Sequence, residues 1–161
     1  MADALDTYLN DHLAGAMFGS DLAQQLKERS EGSPLGETLE LLAPQIEEDR
    51  QTLIDLMERL GTTRNPVKQA TMWLAEKASR VKFGDASASG TGLGTFMALE
   101  TLSLGVEGKL SLWTALKEVA DRYQRLASID LDELIKRARA QRRALERERL
   151  TATRIALHDE N

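Results

Sequence analysis

The chain has 161 residues, of which 42% are hydrophobic and 29% charged, and its net charge is −5. This length suits one domain over residues 1–161 that buries a core without metals or disulfides. The absence of cysteine excludes disulfides, thiolate metal sites and cysteine nucleophiles. The net negative charge argues against nucleic-acid binding. Neither a signal peptide nor a membrane span is predicted. We therefore expect a cytoplasmic protein.

Apolar residues recur at helical spacing in four long segments. The predicted helices run over 3–29, 34–60, 93–123 and 131–157. Asp3 or Asp6 can cap the first helix. Ser33 caps the second, which Gly61 ends, while Pro44 predicts a kink in it or a later start. Ser128 or Asp130 can cap the fourth.

A long connection separates the second helix from the third. It includes a predicted short helix over 66–82 and a Gly- and Ser-rich loop over 83–92. The remaining helices form two hairpins with short turns. This arrangement predicts an all-α, ferritin-like antiparallel four-helix bundle with a long crossover.

Polar residues interrupt the predicted apolar faces, and buried charge is costly unless it is paired. They are the candidate functional residues: His12, Asp49, Glu100, Glu107, Arg142 and Arg149. On the third and fourth helices, two carboxylates and two guanidiniums each lie seven residues apart. In an antiparallel hairpin this spacing favours a buried Glu–Arg network that fixes helix register. A buried pair of Glu100 with Arg142 predicts a loss of about 3–5 kcal/mol in Arg142→Ala.

The metal interpretation is weaker, because a di-iron bundle requires Glu-x-x-His on two helices. The second helix offers Glu47-x-x-Arg50 or Glu48-x-x-Gln51 and the fourth offers Glu146-x-x-Arg149, so none supplies His. The chain has only two histidines. We therefore expect no cofactor. The alternative is a metal-binding or redox protein that holds iron or manganese on His12, Asp49, Glu100 and Glu107.

Four glycines lie inside predicted helices, where each costs roughly 1 kcal/mol relative to alanine. They are Gly15, Gly19, Gly105 and Gly108. Close helix packing is the favoured explanation. The alternative is a ligand pocket near Gly15, Gly105 and Arg142. The basic fourth helix is interleaved with glutamates, which favours a solvated face over nucleic-acid binding.

Four segments, YLNDHLAG from Tyr8, IEEDR from Ile46, LETLSLGVEGK from Leu99 and QRRALE from Gln141, resemble a group of uncharacterised bacterial ferritin-like proteins. The resemblance covers nearly the whole chain and implies the fold. It implies no activity, because fold does not settle function. The missing Glu-x-x-His motifs indicate a degenerate di-iron site. We expect a non-catalytic bundle that acts by binding or assembly, with a homodimer or another protein partner.

Overall fold

The computed structural model describes residues 4–65 and 92–158, in which four α-helices and two 3-10 turns are found and no strand. The helices are α1 (Ala4–Arg29), α2 (Pro34–Leu60), α3 (Leu93–Glu118) and α4 (Leu131–Ala156). The all-α prediction is confirmed, and the four helices are consistent with a bundle. The predicted cap Asp3, the short helix over 66–82 and nearly all of the loop over 83–92 lie outside the described residues.

Local sequence signals set most helix ends. Ser33 caps α2 by accepting a hydrogen bond from Gly36 N at 3.1 Å, and Gly61 ends that helix in the left-handed region at φ 76°. Asp130 caps α4 by accepting from Glu133 N at 2.9 Å. α2 continues through Pro44 as one element, so the alternative prediction that this helix starts after Pro44 is wrong. Asp6, a predicted cap of the first helix, lies within α1.

The third helix is shorter than predicted. It ends at Glu118 rather than Tyr123, and the chain continues as 3-10 turns over Ala120–Arg122 and Gln124–Leu126. The tighter turns place Leu126 in the core, where it is 1% exposed. The side chain of Arg125 donates to the Arg59 carbonyl oxygen at 3.0 Å. This hydrogen bond provides a partner for one of the last carbonyl groups of α2, which have none within the helix.

Two apolar clusters define how the helices are arranged. One joins the last turns of α1 and α4 to the first turns of α2 and α3. The other joins the first turns of α1 and α4 to the last turns of α2 and α3. α2 and α3 therefore run parallel, and α1 is antiparallel to both. α1 packs against α2 and α3, while α4 packs mainly against α3.

The buried faces of α3 and α4 differ from the predicted ones. On α3, Leu104 is 65% exposed, while Leu102, Val106 and Trp113 are buried. α3 is apolar around most of its circumference, so periodicity alone does not select its buried face. On α4, Gln141 is buried in place of Arg142. On α2 the predicted face, with Asp49 on it, is the buried one.

Over the described ranges, no helix combines the length and the hydrophobicity that a membrane-spanning helix requires.

Candidate functional site

A buried polar cluster lies around Asp49 of α2, whose side chain is 1% exposed. One carboxylate oxygen, Oδ2, accepts from Lys109 Nζ at 2.6 Å and from Gln141 Nε2 at 3.0 Å. The other, Oδ1, accepts from Arg137 Nη2. Lys109 also donates to Gln141 Oε1 at 2.5 Å. The cluster thus ties α2 to α3 and α4, and two cations share one buried carboxylate.

Two donors in this part of the molecule have no acceptor among the described residues. They are the indole Nε1 of Trp113 and Nε of Arg137. Trp113 is 0% exposed and lies four residues from Lys109, on the same face of α3. Burial lowers the pKa of the Lys109 ammonium, and the Asp49 carboxylate opposes that effect. A buried donor without an acceptor is costly, so an additional oxygen atom near the Trp113 indole N–H would be stabilised.

The predicted Glu–Arg pairs are present, but on the surface. Glu100 accepts from Arg149 Nη1 at 2.8 Å, and Glu107 lies 2.8 Å from Arg142 Nη1. Their side chains are 24–56% exposed, so the expectation of a buried network is wrong. The pairing of Glu100 with Arg142 is also wrong, because the antiparallel register brings Arg149 to Glu100. The hydrogen bonds that Arg149 donates to Glu146 raise the pKa of its guanidinium, with smaller contributions from Glu100.

The four residues of the metal alternative do not form a metal-ligand set among the described residues. Asp49 is held by Lys109 and Arg137, and Glu100 and Glu107 each bind an arginine of α4. In the described part of the chain, no group of three or more His, Asp or Glu side chains is placed to hold a metal ion. Positive charge occupies the position next to each candidate carboxylate, which disfavours a second cation there.

An apolar cleft of about 410 Å³ lies between α1 and α3, with α2 at its floor. Its walls include Phe18, Ile46, Leu53, Met97 and Val106. His12, Asp49, Lys109 and Trp113 also line it. The antiparallel packing of α1 and α3 places these polar groups towards one end, with Met97 and Phe18 towards the other. The most buried polar groups of the cleft therefore lie at one end, and near Met97 it is lined by Glu100 and Thr101 as well as by apolar side chains.

The four helical glycines lie along this cleft. A Cβ atom added at Gly15, Gly19, Gly105 or Gly108 would meet nothing within 4 Å. Close helix packing, the favoured explanation from sequence, is therefore wrong for all four. Their effect is to widen the cleft from both walls. The pocket predicted near Gly15 and Gly105 is present, but Arg142 does not line it.

His12 lies near the polar end and makes an edge-on contact with Tyr8, with ring centroids 4.5 Å apart. Burial lowers the pKa of its imidazole, more than the neighbouring Asp11 charge raises it. The ring is therefore neutral at neutral pH, and it can donate or accept one hydrogen bond.

Sequence reasoning placed Asp49 on the buried face of α2, but it did not identify Lys109, Gln141 and Arg137 as its partners. A usable signal was present on α3. Lys109 lies between Val106 and Trp113 at spacings of three and four residues, which places it on their face. Glu107 then falls on a different face, as its exposure confirms.

No protein-family model, curated protein or solved structure matches this chain.

Proposed function

We propose that this protein is a non-catalytic helical bundle that acts by binding a small, largely apolar molecule in the cleft between α1 and α3. The observation that carries the proposal is a cleft of about 410 Å³ lined by four glycines that no packing contact requires. Ligand pockets of about 300–1,000 Å³ are usually apolar, with a few placed polar groups.

The glycines support binding because they carry a stability cost without a packing benefit. Each lowers helix stability by roughly 0.5–1 kcal/mol relative to alanine. Alanine would fit at all four positions without contact. Ligand binding in an open cleft would explain why the helices contain glycines that lower their stability.

Binding is favoured over catalysis because three of the charged groups at the cleft are held by counter-charges. Asp49 is bound by two cations, Glu100 by Arg149 and Arg50 by Glu47. Activated catalytic groups typically have a free lone pair or proton within reach of a substrate. The same pairing argues against the iron or manganese alternative.

We extend the proposal to a degenerate ferritin-like bundle in the cytoplasm, with a homodimer or another protein partner. The parallel course of α2 and α3 supports the ferritin-like topology, in which the helices joined by the long crossover run in the same direction. Size-exclusion chromatography with light scattering tests the homodimer.

The cleft is tested with Nile red, a neutral apolar dye that becomes fluorescent when it leaves water. We expect saturable binding to the wild-type protein. Gly15→Leu and Gly108→Leu place side chains into the cleft from opposite walls, and each should weaken binding about tenfold or more, or about 1.4 kcal/mol.

The matched control is Ala140→Leu, which introduces the same side chain at an exposed position of α4. It should leave dye binding unchanged. Circular dichroism confirms that each variant is folded. Equal dye binding by the wild type and both glycine variants would refute the proposed site.

A further inference from the structure

The most buried polar groups of the cleft, Asp49, Lys109 and Trp113, lie at one end, and donors there exceed acceptors. We propose that its ligand is an amphiphile with a single anionic carboxylate head, which binds at Lys109 and Trp113, and an apolar body that lies along the glycines. This inference rests on the proposed function and names the class of ligand for the same cleft.

The charge at the polar end supports an anion. Asp49 is the only fully buried carboxylate in the described residues, and both Lys109 and Arg137 bind it. Their side chains are 13% and 21% exposed. Glu48 also contacts Arg137 at 3.1 Å, but from a position 66% exposed, where solvent screens its charge. The buried part of the cluster thus carries an excess positive charge, which a ligand anion in the cleft would meet at Lys109, since Arg137 does not line the cleft.

The available donors support a carboxylate oxygen in particular. Lys109 donates to Asp49 and Gln141, which leaves the third hydrogen of its ammonium without an acceptor in the described ranges. The buried indole N–H of Trp113 also has none. Both residues line the cleft, one helical turn apart. Two neighbouring donors suit the two oxygens of one carboxylate.

The rest of the cleft suits the apolar body of such a molecule. Met97 and Trp113 line it at opposite ends of α3, roughly 24 Å apart along the helix. Between them the walls are mostly glycine and apolar side chains, with Thr101 among them, and Phe18 and Met97 lie at the end away from Lys109. Glu100 and Asp11 also line the cleft. Arg149 binds Glu100, and Asp11 is exposed at the rim of the cleft. Neither carboxylate therefore neutralises the excess positive charge of the buried cluster.

The test compares dodecanoate with 1-dodecanol, which have equal chain length and differ in the charge of the head. Each compound is titrated against the Nile red complex of the wild-type protein at pH 8, and the concentration of the compound is kept below that at which it aggregates. We expect dodecanoate to bind about tenfold or more tightly, since a hydrogen bond to a charged group stabilises more than a neutral one.

Two variants locate the head group. Lys109→Met should bring the dodecanoate and dodecanol affinities to within about twofold, and Trp113→Phe should reduce their ratio about threefold while it keeps an aromatic ring. Lys117→Met is the control, because Lys117 is an exposed lysine of α3 that pairs with Asp132. It should leave the ratio unchanged. If Lys109→Met does not fold, Trp113→Phe decides the result.

The outcomes separate this inference from the proposed function. Equal binding of dodecanoate and dodecanol, with Nile red still bound, would overturn the carboxylate head and keep the cleft as a binding site. A preference that survives both Lys109→Met and Trp113→Phe would overturn the assigned position. Absence of any Nile red binding would overturn the proposed function and this inference together.

Discussion

Removing the buried carboxylate of Asp49 is expected to destabilise the protein by about 3 kcal/mol. In Asp49→Ala, Lys109 and Gln141 lose the carboxylate oxygen that they share, at 2.6 and 3.0 Å. Breaking a buried ion pair typically costs about 3–5 kcal/mol, because it leaves an uncompensated charge. The lower end applies here because Arg137 keeps a second carboxylate, Glu48, at 3.1 Å.

Urea unfolding followed by circular dichroism at pH 7 measures this loss, which corresponds to a fall in Tm of roughly 6–12 °C for a chain of this size. Arg142→Ala is the control. Its pair with Glu107 is about half exposed, so we expect a loss below about 1 kcal/mol. The sequence alone predicted a much larger loss for that variant.

A double-mutant cycle isolates the pair itself. Asp49→Ala and Lys109→Met should each destabilise, and the double variant should lose less than their sum by about 1 kcal/mol or more, as expected of residues in contact. A coupling below about 0.5 kcal/mol, or a loss in Asp49→Ala no larger than in Arg142→Ala, would refute the buried cluster as an energetic unit.

Three further predictions test other parts of the structure. Gly15→Ala should raise the free energy of unfolding by roughly 0.5–1 kcal/mol. Gly36→Ala should lower it, because its Cβ would lie 2.2 Å from the Ser30 carbonyl oxygen. Urea unfolding measures both variants, and equal changes in the free energy of unfolding would contradict this prediction. Burial lowers the pKa of His12 below its usual 6.5, so unfolding takes up a proton as pH falls. The free energy of unfolding should therefore drop between about pH 7.5 and 5.5 in the wild type and less in His12→Gln; parallel curves would contradict this. Elemental analysis of natively purified protein should find no stoichiometric iron, manganese or zinc, and one equivalent would revive the metal alternative.

The helices were largely predictable because their signals are local. The bounds of α2 match the structure at both ends, since Ser33, Pro34 and Gly61 act on their immediate neighbours. The end of α3 was not predictable from sequence, because it is tied to the burial of Leu126, and that burial depends on the core cluster that Leu126 joins. A segment of ordinary helix-forming residues gives no local reason to change into 3-10 turns.

The candidate site was only partly predictable. Asp49 interrupts a strongly periodic helix, so its burial follows from sequence. Glu107 fits an alternative face of α3, whose periodicity is weak, and that face is exposed. Arg142 follows the buried Gln141 in a strongly periodic α4, and both residues are polar, so residue type does not tell which of them faces the core. Choosing between two faces requires the neighbouring helices, which set how far each helix is rotated about its axis.

The sequence by itself determined the helical class, most helix ends and the presence of a carboxylate in the core. It also fixed the spacing that pairs glutamates of α3 with arginines of α4. Only the tertiary structure decided that these pairs lie at the surface and that Lys109 and Arg137 bind Asp49. It also decided that the glycines open a cleft instead of closing a contact. The physical reason is that burial and cavities depend on the distance and rotation between helices, which no single helix encodes.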